Sequence, residues 1–296
     1  MRVGVVVPMS DGESPGTLPV WAEISGLALH AEELGLDSVW LCDHMLYAAP
    51  DGSRVDGMHE AWTILSALAA VTSRIELGQL VMCASFRNPA LLAKMAVTAD
   101  HVSGGRVTLG VGAGWHDPEY DAYGWPTDHK GGRFDEALRI IVPLLRGERV
   151  SLDGRFHVAR DAALVPAPQR RVPVLVAGER PRMLRLVAEH ADAWNAAWYG
   201  RPDDTLRRRV GTLDAALDKA GRDPVTLRRT VGVWVTDPWS AAEGAEPGKF
   251  TGSASELAAL IDEYAMMGFD DLIFNTSPYS RRALDWIAEA VAVRRV

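Results

Sequence analysis

Short apolar runs alternate along the chain with longer stretches in which apolar side chains recur every three to four residues. Residues 3–7 are rich in valine and end at Pro8, the pattern of a fully buried strand. In residues 20–34, Trp21, Ile24, Leu27, Ala28, Ala31 and Leu34 fall at helical spacing, and Gly35 supplies the stop. The same alternation predicts strands at 38–42, 75–82, 107–111, 174–177, 193–197, 230–235 and 272–275. Between and after them it predicts helices at 60–71, 89–102, 132–146, 181–190, 203–220, 253–267 and 280–293. Residues 149–158 read as a small hairpin around Asp153-Gly154.

Eight buried strands alternating with eight helices predict a parallel α/β sheet. The length of 296 residues and the lack of a midpoint linker favour closure into one (β/α)₈ TIM barrel domain spanning 1–296. A doubly wound open sheet would carry its dinucleotide fingerprint after the first strand. Pro8-Met9-Ser10-Asp11-Gly12 is not G-x-G-x-x-G. Two connections are longer than ordinary loops, 112–131 after strand four and 236–252 after strand seven. On the C-terminal face of a barrel such insertions shape a substrate pocket.

Composition narrows the classes further. The net charge of -8 argues against a nucleic-acid or anionic-membrane partner, because phosphate backbones attract basic surfaces. Two cysteines, Cys42 and Cys83, cannot build a disulfide framework, and neither has a C-x-x-C neighbour. The first apolar run is too short for a signal peptide, and no stretch is long enough to span a membrane, so a cytoplasmic location is expected. The histidines form neither H-x-x-x-H nor H-E-x-x-H, so no metal is expected, and no serine lies in a G-x-S-x-G elbow.

Polar residues just past buried strands point into the site of a barrel. Asp43-His44 stands there after strand two, as a cofactor contact, an acid/base histidine, or a loop pair satisfied by its neighbours. The end of strand three, around Leu80 and Val81, offers backbone and an apolar wall rather than side-chain chemistry. Gly110, Gly112 and Gly114 end strand four and let a planar ligand or another backbone approach closely, with Trp115 next to them. His116, Asp117 and Glu119 follow, as site residues or solvated loop residues. After strand five, Gly178-Glu179-Arg180 leads into Pro181 at a helix start, which makes a phosphate cradle or an ordinary capped helix. Strand six ends in Trp194, Asn195 and Trp198; the tryptophans read as core, but a buried amide such as Asn195 needs partners.

Several stretches together resemble the luciferase-like monooxygenase superfamily. They are Ala61-Trp62-Thr63 with Leu68 through Gly78, Arg87-Asn88-Pro89 through Lys94, Ser103-Gly104-Gly105-Arg106 with Leu109 through Trp115, and Ala191-Asp192-Ala193-Trp194-Asn195. The ordered set covers nearly the whole chain and is most similar to the branch of F420-dependent oxidoreductases. The resemblance implies a barrel holding the deazaflavin F420, or alternatively FMN, at its C-terminal face. It implies that Asp43-His44 contacts the cofactor, with His44 catalytic in proton transfer, and that a non-proline cis peptide falls near Leu80-Val81. It places the cofactor phosphate on the backbone of Gly178, Glu179 and Arg180, with Gly112, Gly114 and Asn195 also near the cofactor. Tyr47, Trp115, Glu119 and Trp198 would frame a small-molecule substrate. Sugar-phosphate dehydrogenases of the branch carry a glutamate proton donor where this chain has Trp115, so sugar phosphates are not expected as substrates. The implied partners are a second copy of the chain, as a homodimer, and a separate flavin or F420 reductase. The alternative functions are an FMNH₂-dependent two-component monooxygenase and a non-catalytic flavin-binding barrel.

Overall fold

A computed structural model describes the chain except for residues 13–15, 50, 242–246 and 295–296. Eight parallel strands form its centre: β1 (Arg2–Val6), β2 (Ser38–Leu41), β3 (Glu76–Gln79), β4 (Val107–Gly112), β5 (Val174–Ala177), β6 (Ala193–Tyr199), β7 (Arg228–Thr236) and β8 (Asp271–Ser277). Each pairs in parallel with the next, and β8 pairs with β1, Ile273 opposite Gly4. The ring is continuous across its middle as well, where β4 meets β5 at Leu109 and Val174. The expected (β/α)₈ barrel is therefore the observed fold. Closure leaves no open edge among the eight barrel strands.

Eight helices return the chain outside the ring: α1 (Trp21–Glu33), α2 (Ala61–Val71), α3 (Pro89–Ser103), α4 (Lys130–Leu145), α5 (Pro181–His190), α6 (Asp204–Lys219), α7 (Ala254–Met266) and α8 (Arg281–Val293). Local chemistry sets most of their starts. Asn88 caps α3 through the amides of Ala90 and Leu91, with Pro89 in the first turn, and Ser253 and Glu256 form a capping box on α7. Strand residues facing these helices, such as Val3, Val5, Val39, Leu77, Leu109 and Val111, join one large outer core.

Side chains from the other strand face fill the barrel. Val6, Trp40, Leu80, Leu175, Ala193 and Ile273 form the inner core. Trp40 is fully buried across the lumen, its Nε1 donating to Ser38 Oγ at 2.8 Å. It fits because β3 has a glycine beside it: a Cβ on Gly78 would lie 2.4 Å from Trp40 Cζ3. The N-terminal mouth is closed by ion pairs. Glu76 accepts from Arg2 at 2.8 Å, from Arg228 at 3.1 Å and from Thr108 at 2.8 Å, and Arg228 also pairs with Asp271. Burial opposes ionisation of Glu76, but Arg228 and Arg2 outweigh it and hold the carboxyl below its ordinary range. Arg2, Glu76, Thr108 and Arg228 line a cavity of about 470 Å³ away from the strands' C-terminal ends.

Two features depart from the pattern of the sequence. The third strand, expected to run on to 82, breaks after Gln79, passes through the non-proline cis peptide that the resemblance implied at Leu80–Val81, and resumes as Met82–Cys83, which pairs with Val111 and Gly112 of β4. A hairpin of Leu46–Ala48 and Val55–Gly57 follows β2; its three-residue strands are too short to produce a readable alternation. The hairpin expected at 149–158 is present as Val150–Asp153 and Val158–Ala162. The insertion after β4 carries a helix, Asp117–Tyr123. The one after β7 begins with a short helix, Pro238–Ala241, and its residues 242–246 lie outside the described residues.

Candidate functional site at the C-terminal mouth

The chain leaves β2 with side chains alternating across the sheet, so Asp43 and His44 point opposite ways. Asp43 turns outward and is 3% exposed. Its carboxylate accepts two bonds from the Arg87 guanidinium, at 2.8 and 3.0 Å, and one from the backbone amide of Cys83 at 2.9 Å. Burial pushes the Asp43 carboxyl up from its ordinary range, and Arg87 and the Cys83 amide oppose that rise. Both oxygens are therefore engaged in tying β2 to the resumed third strand. Neither Asp43 oxygen is without a protein partner.

His44 stands at the mouth. Its Nδ1 lies 2.8 Å from Glu119 Oε1, and the backbone amide of Met45 donates to Glu119 Oε2 at 2.6 Å. Glu119 comes from the helix in the β4 insertion and is 1% exposed. Both its oxygens are taken, one by His44 and one by the Met45 amide. Three rings surround His44 nearly edge-on, Tyr47 at 5.9 Å, Trp115 at 5.8 Å and His116 at 6.0 Å. Tyr47 stacks on His116 at 5.0 Å, and the Ala48 amide donates to His116 Nε2 at 2.9 Å. That bond requires a bare Nε2, and burial pushes the His116 pKa down, in the same direction. Trp115 is 64% exposed, and Tyr47 is also open to solvent.

The opposite wall comes from β6 and β7, which lie across the ring from β2 and β3. Trp198 packs with Cys42, Val81 and Tyr279 on top of the inner core that contains Leu80, and it stacks parallel to Trp234 at 6.1 Å. Leu80, Val81 and Trp198 thus share one apolar floor. Asn195 is buried below, its Nδ2 donating to Thr230 Oγ1 at 2.9 Å while Oδ1 has no partner.

The strand-four glycines serve the protein's own chain. A Cβ on Gly110 would lie 1.9 Å from the Gln79 carbonyl oxygen, one on Gly112 would lie 2.8 Å from Val81 Cγ2, and one on Gly114 would lie 1.9 Å from Tyr120 Oη. They admit the broken third strand and Tyr120, so Gly112 and Gly114 shape the floor from beneath. After β5, Gly178 takes φ +148°, and a Cβ there would lie 2.8 Å from Met183 Cβ. Its carbonyl accepts from Trp194 Nε1 at 2.9 Å. Glu179 pairs with Arg209 at 2.6 Å. Arg180 is the exposed N-cap residue of α5 and makes no side-chain cap, and Pro181 follows in the first turn. The first-turn amides of α5 are thereby left for an anion.

Sequence reasoning named His44, Tyr47, Trp115 and Trp198, and the structure places the first three in one aromatic group with Trp198 on the opposite wall. It missed Arg87 and the partnership of Glu119 with His44. Nothing local marks either: Arg87 precedes an Asn-Pro helix start, and Glu119 lies in a polar loop segment.

The chain is thus a closed parallel (β/α)₈ barrel whose C-terminal mouth carries a histidine on a buried carboxylate, an apolar floor and a helix start without a side-chain cap. The chain belongs to the luciferase-like monooxygenase family, whose model matches residues 1–245. Among its relatives, a phthiodiolone/phenolphthiodiolone dimycocerosates ketoreductase of Mycobacterium tuberculosis is 32% identical over 246 residues, 77% of this chain and 63% of the relative. An F420-dependent glucose-6-phosphate dehydrogenase of Microbacterium testaceum is 32% identical over 203 residues, 68% of this chain and 60% of the relative. The chain thus spans less than two thirds of the length of both. Among solved structures, an F420-dependent secondary alcohol dehydrogenase in complex with an F420-acetone adduct superposes with a TM-score of 0.82, over 100% of this chain and 99% of that one. At 20% identity that likeness is one of fold.

Proposed function

We propose that the protein is an F420-dependent oxidoreductase that moves a hydride to or from a small, uncharged organic substrate, with His44 moving the accompanying proton. The observation that carries the reading is His44 itself, held on a buried carboxylate at the rim of an apolar floor. The two relatives named above support it, one a ketoreductase and one F420-dependent by name.

The residues present fit a flavin-like cofactor. The floor of Leu80, Val81 and Trp198 suits a planar ring, the unpartnered Asn195 Oδ1 is an acceptor left open beneath, and the α5 start with Gly178, Glu179 and Arg180 suits a phosphate. When bound, F420 supplies the carbon centre that takes or gives the hydride. In the alcohol-to-carbonyl direction, His44 Nε2 receives the hydroxyl proton as the carbon loses its hydride; the reverse direction returns it. Tyr47 and Trp115 offer exposed aromatic faces beside His44, and Trp234 does so on the far wall, which suits an apolar substrate better than a phosphorylated one.

The test is a titration of the purified protein with F420 and with FMN, each oxidised and reduced, followed by ligand fluorescence. Binding of F420 well below the concentration needed for FMN is the expected result. Preference for reduced FMN instead, with oxygen-dependent turnover, would establish the two-component monooxygenase. Binding of neither would leave a non-catalytic barrel.

A further inference from the structure

We infer that Glu119 is a positioning residue that sets the tautomer of His44, so that a neutral imidazole presents a bare Nε2 to the pocket. The inference rests on the reading of His44 as the proton-transfer group, but its first test does not require a cofactor.

Hydrogen-bond direction constrains the pair. An ionised carboxylate has acceptors only. Glu119 Oε2 accepts from the Met45 amide, which can only donate, and Oε1 faces His44 Nδ1 at 2.8 Å. Nδ1 must therefore carry the proton in that contact, and in the neutral ring Nε2 is then the acceptor. The side chain cannot readily choose another geometry. Tyr47, Trp115 and His116 pack around the ring at 5.8–6.0 Å, each nearly perpendicular to it. Of the other ionisable groups nearby, Asp43 faces the opposite side of the strand and is committed to Arg87. His116 Nε2 is committed to the Ala48 amide, Asp117 pairs with Lys130, and Lys130 stands over the Tyr120 ring at 4.1 Å. Glu119 is thus the group whose charge and direction His44 reads.

Burial makes the choice strong. The Glu119 side chain is almost completely enclosed, while His44 keeps part of its surface open to the mouth. The pair has one face in protein and one toward the pocket, as a base-and-orienter arrangement needs. The helix Asp117–Tyr123 of the β4 insertion brings Glu119 to His44, and the Met45 amide takes the other oxygen.

Glu119→Gln separates positioning from packing, because the amide has the same shape but only one acceptor. If the Gln oxygen accepts from Met45, its NH₂ group faces Nδ1 and demands an acceptor there, which moves the ring proton to Nε2. If the Gln oxygen faces Nδ1 instead, the NH₂ group meets the Met45 amide donor to donor. Nitrogen-15 NMR of histidine-labelled protein reads the outcome directly, with the His44 signals assigned by their loss in His44→Gln. In the wild type, the neutral ring should carry its proton on Nδ1 and leave Nε2 bare. A neutral ring protonated on Nε2 instead overturns the inference without any variant. In Glu119→Gln the preference for Nδ1–H should vanish or invert; an unchanged pattern overturns it too. Turnover should fall roughly 10²–10⁴-fold, comparable to the loss when an orienting carboxylate becomes an amide in a catalytic triad, while the fluorescence titration with F420 stays within a few-fold of wild type. If neither cofactor binds but the wild-type nitrogen pattern holds, the proposed function fails and the tautomer assignment stands. If turnover is found and the pattern is reversed, the assignment alone falls.

Discussion

Replacing Arg87 with methionine keeps the apolar stem of the side chain and removes the charged guanidinium. The Asp43 side chain is fully enclosed and Arg87 is one-tenth exposed, so solvent does little to screen the pair. Arg87→Met deletes two charge-assisted bonds to Asp43, at 2.8 and 3.0 Å, and leaves the Cys83 amide as the remaining partner of a buried carboxylate. Two hydrogen bonds to a charged group are worth about 1.5–3 kcal/mol each. Removing one partner of a buried ion pair costs about 3–5 kcal/mol. The two routes agree, and at about 2–4 °C per kcal/mol the melting temperature should fall by roughly 6–20 °C. The contact between Arg87 and the half-exposed Glu60 adds little, since exposed pairs are weak. The loss should also depend on pH. Burial already raises the Asp43 carboxyl, and Arg87 is the chief opposing group, so the variant raises it further. An acid whose folded pKa exceeds its unfolded one stabilises the fold at low pH and loses that contribution as pH rises through the folded value. Arg87→Met should therefore be less damaged at about pH 5 than at about pH 8. Asp43→Asn in the same chain should recover much of the loss at the higher pH. Thermal unfolding followed by circular dichroism at the two pH values measures this. A drop under about 2 °C, or one equal at both pH values, would refute the account of Asp43 and Arg87.

Three further outcomes are expected. His44→Ala should slow turnover roughly 10²–10⁴-fold, the usual contribution of a general acid/base, while F420 affinity measured by fluorescence changes little; a normal rate removes His44 from the chemistry. Gly178→Asp places a carboxylate at the uncapped start of α5 and forces a side chain at φ +148° against Met183, so F420 should bind more weakly, and Arg180→Ala should weaken it less. Unchanged affinity in both variants rules out that turn as the phosphate site. Gly78→Ala drives a methyl group into Trp40, which Ser38 and the inner core hold in place, and should cost about 1–3 kcal/mol in a urea unfolding experiment; an unshifted midpoint would show that Trp40 can move aside.

The barrel was legible in the sequence because its evidence is local and repeated. Each strand is a buried apolar run, each helix has a 3.6-residue stripe, and eight repetitions leave few topologies. Placement at the mouth was legible for a related reason: Asp43, His44 and the Gly178–Arg180 turn directly follow buried strands, and strand ends fix which face of the barrel they reach. The roles within the mouth were decided only by tertiary structure. His44 meets Glu119 75 positions later, and Asp43 meets Arg87 44 positions later, after an intervening helix and strand have been laid down. No periodicity encodes such a pair, because each partner satisfies its own local pattern wherever the other lies. The strand-four glycines show the same division. Their spacing announced a close approach, but whether ligand, backbone or Tyr120 would fill the space depended on where the broken third strand ran. Closing the ring brings those atoms to within hydrogen-bond distance of each other, and only then does hydrogen-bond direction assign Glu119 to His44 and Arg87 to Asp43.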